Sequence, residues 1–353
     1  MLSVLDVVKQ NGIACLACER VSLDFERFSE YTDSDEHPVE SPFERPRVVK
    51  GKKQVVEVAN GIPTILRYFL DGSRRTYKVA DAILGGRYLP IIAGQVGVAV
   101  IARDDDGHLK PMRDFCCLRN IIAFPDKLAG DDLAHLQAEI NQHCRVQFVA
   151  LRYTVKPDRD PVDLGIARIM SEMHMMEVDT VLRIAARHLL ANDRLLVVDG
   201  PLRFKKSFDL VQFRNVLGIS KTFRPSFRVR KHREDVGALA SSLDFAERTS
   251  VFKIIDDDKV LGAWYLRLRN PSVMPNPLDG IVKVECYAID PEDKEEGFES
   301  DRIDTISGHI LRERNVTPYG SDSRWASHIY PIYMAESYVR TLFMSTTAFT
   351  ALF

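Results

Sequence analysis

The chain has 353 residues, 45% hydrophobic and 28% charged, with a formal net charge of −2. This is the composition of an ordinary soluble globular protein with apolar material for one large core or two medium ones, and it argues against a surface coated with basic residues. No stretch reaches the roughly 18 uncharged apolar residues of a membrane span, so a cytoplasmic protein without membrane contact is expected.

Residues 1 to about 20 read as a short helix, with Asp6 and Lys9 inside its apolar part, unlike a secretory leader. The six cysteines are too few and too irregular for a disulfide framework in a chain of this length. Cys15 and Cys18 have metal-ligand spacing, but no second Cys-x-x-Cys supplies the other two ligands of a zinc site, so buried thiols are the simpler reading. From Asp24 to Pro46 eight acids stand against two bases, which reads as an exposed acidic arm. The chain is thereby divided into residues 1–60, a helix and acidic arm, and 61–353, the folded domain.

Within that domain an apolar run is expected to end at Asp71-Gly72-Ser73, followed by a short helical piece. Residues 87–112 read as two strands joined by an Asp-Asp-Gly turn. A strand over 147–155 and a long helix over 163–190 lead into the strand "LLVVDG", which stops at Asp199. Residues 203–233 then carry ten bases against Asp209 alone. Three strand patterns within 251–289 read as antiparallel, and a last helix opens at Tyr330-Pro331. No internal repeat is visible, so the economical fold is one mixed α/β domain with an N-terminal arm and a basic insertion.

Two apolar strands that stop on Asp-Gly place carboxylates where ligands bind in open α/β sheets, although Asp-Gly is also a common turn pair. On the long helix Ile166, Met170, Met173, Val181 and Ile184 fall on one face, with Glu177 in the middle of it. A lone buried carboxylate is costly, so Glu177 must be protonated, paired with a base, or placed opposite other acids across a cation. Glu172 lies off that stripe and reads as a surface acid. Asp71, Glu177 and Asp199 together would select a hard divalent ion, Mg²⁺ or Mn²⁺, suited to phosphoryl chemistry. The basic segment, with Lys205, Lys206, Lys221, Arg224 and Arg228 interleaved with Phe204, Phe208, Phe223 and Phe227, suits a polyanion with stackable bases. A solvated basic hairpin with core aromatics is the alternative.

The succession "LDGS", "GQVGVAV", a helix-borne glutamate, "LLVVDGPL", "GISK", "WYLRL", "VKVECY" and Tyr330-Pro331 resembles the NurA-type nucleases over about residues 60–345. The resemblance implies an RNase H-like mixed sheet flanked by helices, with Asp71, Glu177 (or Glu172) and Asp199 as metal ligands and Lys221 on a substrate phosphate. It also implies a homodimer working on DNA with a HerA-like hexameric ATPase, in end processing or anti-phage defence. The chain has no G-x-x-x-x-G-K-[ST] loop, in keeping with an external motor. Where the family carries a histidine on the last helix this chain has Tyr338; Glu336 and His328 are the nearby candidates to replace it, with an ordinary exposed helix acid as the simpler reading of Glu336. That departure leaves a catalytically weakened DNA-binding adaptor as the second reading, and an RNA-directed nuclease as a third.

Overall fold

The computed structural model describes residues 2–18, 22–23, 40–48, 51–59, 61–126, 128, 132–202, 208–221, 235–314 and 323–353. In chain order the elements are α1 (Val4–Gln10), β1 (Cys15–Ala17), β2 (Glu44–Arg45), β3 (Lys52–Gln54), β4 (Leu66–Leu84), β5 (Arg87–Arg103), β6 (Leu109–Pro111), β7 (Cys117–Pro125), α2 (Leu133–His143), β8 (Phe148–Tyr153) and α3 (Pro161–Ala186). There follow β9 (Leu195–Asp199), β10 (Val216–Ser220), α4 (Val236–Ser241), β11 (Glu247–Thr249), β12 (Phe252–Asp256), β13 (Lys259–Arg267), β14 (Ile281–Tyr287), α5 (Pro291–Glu296), β15 (Phe298–Glu299), α6 (Ser300–Arg312), α7 (Tyr330–Thr341) and α8 (Thr346–Thr350).

One large mixed sheet runs in the order β3-β11-β13-β14-β10-β9-β4-β5-β7-β8. At its centre β4, β5 and β7 are antiparallel neighbours, while β9 lies parallel to β4, and β10 parallel to β9. The hairpin β4–β5 closes through Gly85-Gly86, both at positive φ, the backbone that a two-residue hairpin turn requires. Alternation along β4 sends Leu70 into a core beneath α3 and Phe69 into a second core beneath α6 and α7. The sheet is therefore covered on both faces, which explains why β9 and β10 are apolar on both sides.

α3 begins at Pro161, with Asp160 capping the Val162 N–H at 2.9 Å. It buries Ile166, Ile169, Met173, Met176, Val181 and Ile184 on the sheet. α2 covers the exposed edge at β8 in another way. Asn141 accepts from Phe148 N at 2.7 Å and donates to Phe148 O at 3.0 Å, and Gln137 accepts from Ala150 N at 2.8 Å. These side chains take the place of a neighbouring strand.

Several expectations change here. Asp71 lies inside β4, not at a strand end, and residues 74–84 are strand, not helix: β5 supplies backbone partners all the way to Leu84. The acidic arm does not extend to Pro46, because Phe43 and Glu44 are buried. Glu44 meets the fully buried Arg248 at 2.8 Å, and Arg248 also reaches Asp304 on α6 at 2.6 Å. A buried guanidinium needs such partners. Residues 24–39 of the arm lie outside the described residues. The N-terminal helix and the C-terminal tail pack together in a third core with the distal half of β4, where Val4 N donates to Leu352 O at 2.8 Å. None of the six cysteines is in a disulfide, and Cys15 lies inside this core. Among the described residues no helix is long and apolar enough to cross a membrane.

Candidate acidic site

β9 pairs with β4 only as far as Leu70↔Val198, so the sheet opens beside Asp71 just where Asp199 ends its strand. Asp71 shares its face with Phe69, Asp199 with Val197, and Lys221, one residue past β10, with Ile219. All three apolar neighbours belong to the core under α7. These side chains thus meet below α7, which adds Glu336. Glu177 approaches from the α3 side through the space that Gly72 leaves: a Cβ at residue 72 would sit 2.2 Å from Glu177 Oε1.

Three of the four acids have a basic partner within the protein. Lys221 Nζ lies 2.9 Å from Asp199 Oδ2, Arg340 lies 2.7 Å from Glu336 Oε1, and His174 Nδ1 lies 2.9 Å from Glu177 Oε2. Asp71 differs. It is 5% exposed, and among the described residues no hydrogen bond or ion pair reaches its carboxylate. Burial and the charges of Asp199, Glu336 and Glu177 push its carboxyl well above the usual range, against the opposing pull of Lys221. The Lys221 ammonium is held protonated to well above its ordinary range, because Asp199 and Asp71 together outweigh the cost of its burial.

The expected residues therefore separate. Asp71, Asp199 and Lys221 come together, and the Glu177 charge makes the smallest of the contributions that raise the Asp71 carboxyl. Glu172 does not join them, nor is it a surface acid: it is buried and paired with Arg119 at 2.6 Å. Glu336 enters the group, whereas Tyr338 packs on the core beneath α7 and His328 stacks on the Tyr333 ring with centroids 6.5 Å apart. Lys205, Lys206, Arg224 and Arg228, with Phe204, Phe223 and Phe227, lie outside the described residues. Phe208 is partly buried against the first core, with its ring centroid 4.3 Å from that of Phe213.

The three acids expected to cage a cation are not closed around one point. Among the described residues, the acid and histidine set with ligand atoms all within 4.8 Å of one another is Asp104, Asp106 and His108. These form the tight turn between β5 and β6, where Lys110 and the His108 N–H hold the Asp104 carboxyl down at about 2. Turn chemistry accounts for that set. At the larger site the Lys221 ammonium lies on Asp199 and His174 on Glu177. His174 and Arg340 were not singled out in the sequence. Their signal was present as i, i+3 and i, i+4 spacing from the two glutamates.

A comparison with known protein families gives no matching family model, and no curated protein is significantly similar to the chain.

Proposed function

We propose that this protein is a divalent-metal-dependent DNA nuclease. The observation that carries the reading is Asp71: a buried carboxylate with no protein partner among the described residues, bordered by Asp199, Glu336 and Glu177. Hard oxygen donors in this number suit Mg²⁺ or Mn²⁺, and a buried acid with no direct hydrogen bond or ion pair among the described residues is a place a cation relieves. Asp71 and Asp199 would hold the ion, with Glu177 and Glu336 bordering it; the ion would supply Lewis acidity to a phosphodiester and lower the pKa of water. The chain's own contribution is to bury the acids, orient Glu177 through His174, and keep Lys221 beside the site as a phosphate contact.

The strand order β7-β5-β4-β9-β10, with three antiparallel strands followed by two parallel ones and α3 laid across them, supports an RNase H-like reading. Together with the sequence resemblance it favours DNA as substrate, a homodimer, and a HerA-like hexameric ATPase as partner. The test is cleavage of linear duplex DNA with Mn²⁺ by the wild type and by Asp71→Ala, with RNA as competing substrate. Cleavage by the wild type alone is expected. A second reading, a DNA-binding adaptor without catalysis, draws support from Tyr338 packed against the core and from Lys221 seated on Asp199. It prevails if the wild type binds DNA but never cuts, even with the translocase present.

A further inference from the structure

Lys221 raises a physical question that the resemblance does not answer. Its side chain is 16% exposed and its ammonium lies 2.9 Å from Asp199 Oδ2, with Asp71 and Glu336 near enough to strengthen its charge. A lysine so placed is not extended toward a solvent-borne phosphate. It neutralises the acids. Around it, Glu336 is paired with Arg340 and Glu177 with His174, and among the described residues Lys221 is the base placed on Asp199.

We propose that Lys221 is the resident counter-ion of the acidic site and competes with the divalent cation for Asp199, leaving that carboxylate when the metal binds. The proposal rests on the reading of this site as a metal site. Two positive groups crowded onto one carboxylate repel each other, and in a partly buried setting that repulsion is much larger than in water. Metal entry therefore displaces the ammonium, which remains tethered at the end of β10 and becomes available to an anionic oxygen of the substrate. Protection of the metal-free protein and a metal-released phosphate contact become two states of one side chain.

The test uses the full chain, stripped of metal, as wild type, Lys221→Met, Lys221→Gln and Asp71→Asn. Bound Mn²⁺ is counted from the spectrum of the free ion, and melting is followed with and without Mn²⁺. Without metal, Lys221→Met should melt below the wild type. With metal it should bind Mn²⁺ roughly ten-fold more tightly or better, since one competing unit charge is gone, and should gain more in melting temperature than the wild type does. If the Met variant does not fold without metal, the Gln variant is measured in the same titration. Equal or weaker Mn²⁺ binding by both lysine variants, while the wild type binds and Asp71→Asn does not, overturns the exchange but leaves the metal site standing. Failure of every protein, wild type included, to bind Mn²⁺ overturns the metal site and the exchange together.

Discussion

The fold disfavours the charged form of Asp71, and this gives the residue a stability signature separate from activity. Its carboxyl is raised above the unfolded value by burial first and by Asp199, Glu336 and Glu177 after that. The folded chain thus holds this proton more tightly than the unfolded chain. Its favourable contribution is complete below the unfolded pKa and is lost as pH rises through the folded one. Near neutral pH, Asp71→Asn should therefore melt at or above the wild type in the absence of metal, and the gap should shrink as the pH is lowered toward about 4. With Mn²⁺ the same variant should lose cleavage by roughly 100-fold or more, since even residues that only support a metal ligand cost about 10- to 100-fold. Melting curves across this pH range and initial rates on linear DNA check the two halves independently. A variant less stable than the wild type at pH 7 would show that Asp71 has a favourable partner there.

Long β4 shows what the sequence revealed and what it hid. The acid at 71 was visible as a carboxylate at the end of an apolar run, but Asp-Gly-Ser looks like a strand stop. Only the seventeen-residue partner β5, running antiparallel to Leu84, turns it into mid-strand. Local chemistry could not report a partner so far along the chain. Glu177 was legible because a helix has a fixed period and the glutamate broke an apolar stripe; Glu172 was misread because its burial depends on Arg119 from a different strand. Gly72 was seen as a turn residue and proves to be a gap that admits the Glu177 carboxylate. Gly72→Ala should consequently fold, since the atom its Cβ meets is the far end of a flexible side chain and alanine is the better strand residue by about 0.5–1 kcal/mol. The displaced Glu177 should lower the turnover number by roughly 10- to 100-fold, as small misplacements near reacting groups do. Unchanged turnover with an unchanged melting temperature would remove Glu177 from the site.

Apolar chain ends such as α1 and the segment from Thr341 to Phe353 can serve either as docking surfaces for a partner or as core. The structure buries them together, with Val4, Leu5, Val7 and Val8 of α1 and Phe349 and Phe353 of the tail closing the third core. Composition alone was ambiguous because an apolar helix face looks the same whether its cover is the same chain or another. What decides it is tertiary: the Phe349 ring lies 5.6 Å from Tyr77, 6.2 Å from Phe148 and 5.6 Å from Phe353, centroid to centroid. Those contacts tie the tail to β4 and to edge strand β8, the same sheet that carries Asp71 further along. Phe349→Ala should therefore destabilise the isolated protein by about 3–5 kcal/mol, the usual cost of deleting a buried aromatic, measured by urea unfolding. A docking residue would behave in the opposite way, leaving the isolated protein unchanged and weakening only a complex with a partner. Because the acidic site and the third core share β4, partial opening of the ends should also speed amide exchange in residues 77–84 before it reaches Asp71. Hydrogen-exchange mass spectrometry on the Phe349→Ala variant would register that order, and simultaneous exchange along the whole strand would mean the sheet opens as one unit.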